Sequence, residues 1–513
     1  MTNLLHDALL APHADSPAPL LRFAGGRPPL GHADFDAMAA RMAGALAALG
    51  LSPGDRLALQ VEKSAEALAV YAACLRAGVV FLPLNTAYTP AEMAHFIADA
   101  TPGAVIVDPA AEAAIRPLAE AHGAHLLTLD AEGGGTLADL AADRPDRFDP
   151  VPRGPDDLAA LLYTSGTTGR SKGAMLSHRN LLSNARALME TWRFGPGDVL
   201  LHALPIFHAH GLFVACNVIL LAGGSMIFLP KFDRDAVLAA LPEATTMMGV
   251  PTFYTRLLAA PAFDRDRCAH MRLFTSGSAP LLAETHRAFE ARTGHRILER
   301  YGMTETGMNT SNPYDGERRP GSVGPPLPGV ELRVTDPDTG AELAQGEIGM
   351  IEVRGPNVFA GYWGLPEKTA EEMRESGFFV TGDLGRIDDD GYVHIVGREK
   401  DLIISGGYNV YPKEVEQVLD QQPGVAESAV VGVPHPDFGE AVLGVVVPEP
   451  DAALDAEATL RSAALQLANY KRPKRLVALE ELPRNTMGKV QKAQLRTRYA
   501  DLFAEGGDSA QGG

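Results

Sequence analysis

Along the first half of the chain, short unbroken apolar runs alternate with stretches whose apolar positions recur every three or four residues. RLALQVE (56–62) reads as a strand, SAEALAVYAACLRAG (64–78) as a helix and VVFLPL (79–84) as a strand. TPAEMAHFIADA (89–100) has helical spacing, and AVIVD (104–108) is again strand-like. This βαβαβ rhythm predicts a layered, mostly parallel sheet covered by helices. The alternation returns in TMMGV (246–250), a helix opening at Pro251, MRLFTSG (271–277), a helix over 280–293 and RILERYG (296–302).

The pattern changes after about residue 320. ELRVTD, IGMIEVRG and GYVHIVGR are strands divided by Gly, Pro and Asp turns, without a long helix among them. They predict a β-rich subdomain over about 320–397. Beyond Gly397, ESAVVGV and AVLGVVV lie between helical YPKEVEQVLDQQ and helical LDAEATLRSAALQLANY. The strand RLVALEEL, a loop and a last helix follow. The expected class is a large α/β N-terminal domain (1–399) with layered βαβ sheets, followed by a small α+β domain (400–503). GGDSAQGG reads as part of a disordered tail, 504–513.

One run, Leu212–Leu229, carries no charge over 18 positions, the lower limit for a membrane-spanning helix. Gly223 and Gly224 interrupt it, so a buried helix, a glycine turn and a core strand are expected instead. The N-terminus lacks a basic segment before a long apolar stretch, which argues against a secretory signal. The expected location is the cytoplasm, without a membrane.

Composition narrows the function. The 513 residues are 46% hydrophobic and 21% charged, which excludes global disorder. Cys74, Cys216 and Cys268 form no CxxC pair, so neither a disulfide framework nor a cysteine zinc site is indicated. With 45 Lys+Arg against 64 Asp+Glu, the net charge is −19. That balance argues against a nucleic-acid partner. It does not exclude small anions held by local charge. From Lys471 to Arg498, nine basic residues face two acids, Glu480 and Glu481.

YTSGTTGRSKG (163–173) is the first candidate for such a site. Three glycines and five Ser or Thr residues leave many donors open to phosphate oxygens, with Arg170 and Lys172 adding charge. The spacing is not that of a P-loop, since GK[ST] does not follow Gly166 at the required distance. Composition alone is also compatible with an ordinary surface loop.

Further segments follow in order: SGSAP (276–280), YGMTET (301–306), TGDLG (381–385), GREKDLIISGGYNVYPKEVE (397–416) and PRNTMGKVQK (483–492). With the loop, they resemble the adenylate-forming superfamily, which includes acyl-CoA synthetases, over about residues 20–500. HALPIFHAHGLF, GVPTFYTRLL and SNPYDGERRPGSVG are most similar to bacterial malonyl-CoA synthetases within that family.

The resemblance implies a reaction and roles. A carboxylate attacks the α-phosphate of ATP, and coenzyme A then displaces AMP from the acyl-adenylate. Thr164, Ser165, Gly166, Thr167, Thr168, Gly169 and Lys172 would hold the β- and γ-phosphates. Adenine would lie between Ser278–Ala279–Pro280 and Arg300–Tyr301–Gly302, with Tyr301 stacking. Thr304 would touch the α-phosphate and Glu305 would hold Mg²⁺. Asp383 would accept the ribose hydroxyls, assisted by Arg398. Lys489 would bridge the carboxylate and α-phosphate, as a compact cation can. It would also be the target of a lysine acetyltransferase and deacetylase. Lys400 would be the hinge on which a mobile C-terminal domain swings, and Gly407 would line the pantetheine tunnel. His208, Ser276, Ser278 and Met303 would border the acid. A buried Arg256 would pair with a distal carboxylate, which suits a guanidinium fork. Malonate, and methylmalonate with it, is the expected acid. The alternatives are a ligase for acetate, propionate or oxalate, a stand-alone enzyme loading a carrier protein, and an inactive binding protein.

Overall fold

A computed structural model describes residues 2–164, 171–450, 454–485 and 488–503. The expected tail, 504–513, lies outside the described residues. The chain divides into two compact units, Met1–Leu332 with Val353–Phe379, and Arg333–Glu352 with Val380–Gly513.

The first unit holds two large sheets. In one, strands run in the order His125–Thr128, Ala104–Val107, Arg56–Gln60, Val80–Pro83, Leu158–Thr164, Lys172–Ser177. Pairings are parallel except for the last, which is antiparallel. The helices between them start on side-chain caps: Ser64 accepts from Ala67 N–H before Ala65–Ala77, and Thr89 forms a capping box with Glu92 before Pro90–Ala100. Ala58, Val80, Leu82, Val105, Val107 and Leu161 make a core with Met93, Phe96 and Ile97 of the second helix.

In the other sheet, Leu298–Met303, Leu273–Ser276, Thr246–Gly249, Val199–His202, Ser225–Phe228 and Pro19–Arg22 pair in parallel. Antiparallel edges, Gly307–Ser311 and Leu30–Gly31, flank them. The uncharged run after residue 212 folds as expected. A π-helical segment, His210–Cys216, leads into the helix Asn217–Ala222, then Gly223 at φ 69° and the strand Ser225–Phe228. Among the described residues, no helix is long and apolar enough to cross a membrane.

Two features were not anticipated. The strand Lys172–Ser177 separates the glycine-rich loop from the helix His178–Thr191, and Phe379–Ile387 is a nine-residue strand. The second unit also gathers residues from both sides of the expected 399/400 boundary. Buried Glu352 accepts from Arg333 (2.7 Å) and Thr335 (3.1 Å), and the Thr381 hydroxyl donates to Ile351 O (2.8 Å).

The long pair Val425–His435 and Gly439–Pro448 is the backbone of the second unit. Alternation along it serves two cores. Val430, Val442 and Val446 face Val415, Leu419 and Ala463, whereas Val431, Val433, Leu443 and Val445 face Leu482 and Leu495. Buried Glu416 accepts from Lys492 Nζ (2.6 Å) and Val430 N–H (3.0 Å). Burial works to raise the Glu416 carboxyl, but Lys492 and Lys413 outweigh it and hold it below the usual range. Its contribution is therefore present above the ordinary glutamate range and lost as pH falls through the lowered value. Glu416→Ala is expected to destabilise this unit by about 3–5 kcal/mol, because Lys492 loses its anion. Hydrogen exchange, with protection lost first at the Val430 amide, checks this.

Candidate active site

The glycine-rich loop joins the antiparallel strands Leu158–Thr164 and Lys172–Ser177, and Thr164 pairs in register with Lys172. Ser165, Gly166, Thr167, Thr168, Gly169 and Arg170 lie outside the described residues. The two ends are well placed. Residues 360–363 extend the sheet beside Lys172–Ser177, with Ala360 N–H donating to Met175 O, Met175 N–H to Gly361 O and Trp363 N–H to Gly173 O. That register sets Tyr362 next to Lys172, whose ammonium sits 4.1 Å from the Tyr362 ring centre.

Lys172 Nζ donates to Glu372 Oε1 (3.2 Å), at the end of the helix Pro366–Glu372. The Tyr362 hydroxyl lies 2.7 Å from Glu372 Oε2 and 3.1 Å from Glu305 Oε1. Thr164 Oγ1 approaches Glu305 Oε1 at 3.4 Å. Glu305 follows the strand Leu298–Met303 in a tight reversal, so the structure brings three expected residues together: Thr164, Lys172 and Glu305. Tyr362 and Glu372 were missed, since they stand in no glycine-rich or ordered motif. Burial, then Glu305 and Glu372, push the Tyr362 phenol up, keeping it a proton donor. Burial opposes the Glu372 charge, but the Tyr362 hydroxyl, Lys172 and Lys368 keep that carboxyl below its usual range.

Mg²⁺ fits Glu305. Among the described residues, no group of three His, Cys, Asp or Glu side chains gathers as a cage. Mg²⁺ needs none, because it usually binds one or two carboxylates together with substrate phosphates and water. A buried carboxylate beside the Thr164 hydroxyl is a hard-oxygen set of that kind.

A second cluster forms where parallel strands end. Ser276 closes the strand Leu273–Ser276, and Ser278 takes φ 69°, a strained left-handed geometry for a non-glycine residue. Its hydroxyl pairs with His210 Nδ1 (3.2 Å). Arg300, only 4% exposed, lies against Gly277, where a methyl group would stand 2.2 Å from Nη1. Arg300 Nε and Nη2, His210 Nε2 and Ser276 Oγ are buried without a hydrogen-bond partner among the described residues. Burial lowers Arg300 to about 10, and burial with Arg300 nearby keeps His210 neutral. The cluster is therefore a buried cation with donors to spare.

His202 supports this cluster from beneath. Lys63 Nζ donates to His202 Nδ1 (2.8 Å), so Nε2–H is left to donate to Gly211 O (2.8 Å) at the start of the π-helical segment. His208, half-buried, accepts the His210 amide (3.2 Å). Met303 and Thr304 are half-buried beside Tyr301 and Gly302. A methyl at Gly302 would meet Gly307 O at 2.1 Å, which explains the glycine.

Arg256 departs from expectation. It is exposed on the helix Pro251–Leu258, while Phe253, Tyr254 and Leu257 take the buried face. Helical geometry puts position 256 off that face. At this cluster the buried arginine is Arg300, which the family resemblance puts on the adenine side.

In the second unit, Asp383 and Arg398 are cross-strand partners with Arg398 Nε 3.0 Å from Asp383 Oδ1. Lys400 lies in a 3₁₀ turn, Glu399–Asp401, between strands. Gly406 and Gly407 turn a short hairpin, Ile403–Ser405 to Tyr408–Val410, with φ 59° and 81°, and open space beside Gly407. Lys489 is exposed on a turn closed by Asn485, whose Oδ1 accepts the Lys489 amide (3.0 Å).

Comparison with known proteins agrees with this architecture. Residues 13–363 match the family described as AMP-binding enzyme, and 414–489 match the AMP-binding enzyme C-terminal domain. The crystal structure of ATP-bound MatB from Rhodopseudomonas palustris is 58% identical, with TM-score 0.96, covering 98% of this chain and all of that one. A malonate–CoA ligase of Arabidopsis thaliana is 36% identical over 84% of this chain and 76% of its own length. A sulfoacetate–CoA ligase of Cupriavidus necator is 39% identical over 85% of each. The chain belongs to the AMP-binding enzyme family.

Proposed function

We propose that this protein is an AMP-forming malonate:CoA ligase, converting malonate, ATP and CoA to malonyl-CoA, AMP and pyrophosphate through malonyl-AMP. The observation that carries the choice of acid is the buried Arg300 guanidinium, two of whose nitrogens have no partner among the described residues, as is the case for His210 Nε2 and Ser276 Oγ. A desolvated cation without an anion is costly. A substrate with a second negative group removes that cost, and a monocarboxylate does not. Methylmalonate meets the same demand.

In this reading, Lys172 and the loop ends bind the β- and γ-phosphates, and Glu305 supports the magnesium that neutralises them. When bound, Mg²⁺ supplies charge stabilisation at the phosphate oxygens. Thr304 addresses the α-phosphate, and Tyr301 stacks on adenine. Asp383, oriented by Arg398, receives the ribose hydroxyls. One malonate carboxylate attacks the α-phosphorus and pyrophosphate leaves. Lys489 bridges the attacking and phosphate oxygens during that step. The CoA thiol then attacks the acyl carbon, AMP leaves, and Gly407 lines the pantetheine path. A swing about Lys400 separates the two half-reactions. Lys489 is exposed, which supports its access to an acetyltransferase. Acetylation would remove its charge. A cytoplasmic location agrees with three buried free cysteines and with the supply of ATP and CoA.

A ligase for a different doubly charged acid is the second reading, because a sulfonate would satisfy Arg300 as well as a carboxylate would. Initial rates of AMP release over acetate, propionate, oxalate, malonate, methylmalonate and sulfoacetate separate them. Malonate is expected to lead, and equal rates with acetate would overturn the assignment. Arg300→Leu is expected to lower kcat/KM for malonate by at least about a hundredfold, or about 3 kcal/mol, and to narrow the gap to propionate. Arg256→Leu compares the exposed arginine directly. If it alone erodes malonate preference, the distal carboxylate is read from the Pro251–Leu258 helix. Lys489→Ala is expected to abolish adenylate formation while supplied malonyl-AMP is still converted to the thioester. Equal loss of both steps, followed by product quantification, would remove Lys489 from its role.

A further inference from the structure

Tyr362 is the residue that the assigned chemistry leaves without a task. It is 3% exposed, and it touches both charged groups expected to meet the phosphates. Its ring lies under the Lys172 ammonium at 4.1 Å, and its hydroxyl stands between Glu305 (3.1 Å) and Glu372 (2.7 Å). The single hydroxyl proton lies within hydrogen-bond reach of both carboxylates, which share it. Glu372 in turn fixes Lys172 (3.2 Å), and Lys368 closes the chain on Glu372 at 3.2 Å. The Thr369 hydroxyl accepts the Tyr362 amide (2.9 Å), which ties the aromatic residue to the helix bearing Glu372.

We propose that Tyr362, oriented by Glu372, is a positioning residue that fixes the Glu305 carboxylate and the Lys172 ammonium at the spacing a magnesium–triphosphate group requires. This rests on the reading above that Glu305 and Lys172 serve the metal and the β- and γ-phosphates. Three observations carry it. The hydroxyl restrains the Glu305 oxygen through a hydrogen bond made outside any metal shell, the arrangement by which outer residues aim metal-binding carboxylates. The ring face gives the Lys172 stem a fixed seat by cation–π attraction. The strand register between residues 360–363 and Lys172–Ser177 pairs Tyr362 with Ala174 and so sets its ring beside the Lys172 side chain. Tyr362 would touch neither the carboxylic acid nor AMP, so its effect is confined to ligands carrying the β- and γ-phosphates.

The test measures nucleotide affinity by calorimetry in the full-length protein, with ATP and with AMP, across a range of Mg²⁺. Tyr362→Phe keeps the ring and removes the hydroxyl. It is expected to raise the Mg²⁺ concentration for half-maximal ATP affinity about tenfold, the scale of outer-shell losses at metal sites. AMP affinity is expected to stay within about twofold, which also reports an intact fold. Tyr362→Leu, which removes the ring as well, is expected to weaken ATP further at saturating Mg²⁺, again with AMP unchanged. Parallel loss of ATP and AMP affinity in both variants would make the residue merely structural and overturn the proposal. An unshifted Mg²⁺ dependence in Tyr362→Phe would overturn it too. Glu305→Gln and Lys172→Met separate the levels. If they also leave ATP and AMP affinity unchanged, the phosphate-site reading itself fails. If they shift ATP alone and Tyr362→Phe does not, only the role of Tyr362 fails.

Discussion

A cation withdrawn from water must be met by an anion, and the candidate site in the first unit is organised around that requirement. It is met in two different ways. Lys172 is compensated within the protein, by Glu372 and the face of Tyr362. Arg300 is not. Its guanidinium is enclosed by Gly277 and the ends of parallel strands, and two of its nitrogens find no partner among the described residues. The first arrangement keeps the Lys172 ammonium ordered. The second leaves a buried positive charge that an anion would stabilise. In a chain of net charge −19, both depend on local geometry and not on the overall charge.

Backbone constraints make that geometry possible. Gly277 admits Arg300, and Gly302 admits the carbonyl of Gly307 in the reversal that delivers Glu305. Ser278 holds a left-handed conformation that costs energy, and its hydroxyl gains His210 in return. Beneath them, Lys63 selects the tautomer of His202 that can donate to Gly211 O. Burial pushes Lys63 down to about 7, so this support operates close to its own deprotonation. Strain and buried polar groups of this kind concentrate where a fold serves a ligand.

The parallel core was legible because each strand and helix announces itself through a local period. Arg56–Gln60, Ala65–Ala77 and Pro90–Ala100 begin or end within about two residues of the apolar patterns that suggested them. The glycine-rich loop, Glu305, Asp383 and Lys489 were legible as ordered motifs. Lys172–Ser177 was not, because the motif spelling continues across it and hides a strand. The exposure of Arg256 was not legible, because a helix start fixes neither which face is buried nor how the helix is turned.

Sequence alone determined the order of the elements, the family signature and the identities of the polar groups, since these are properties of neighbouring residues. Tertiary structure decided which arginine is buried and which tyrosine bridges two carboxylates. Arg300 loses its solvent only when the strands ending at Ser276 and Met303 lie side by side. Tyr362 meets Lys172, 190 positions away in the chain, only through sheet register. Pairing across such distances is set by packing, which no local pattern encodes.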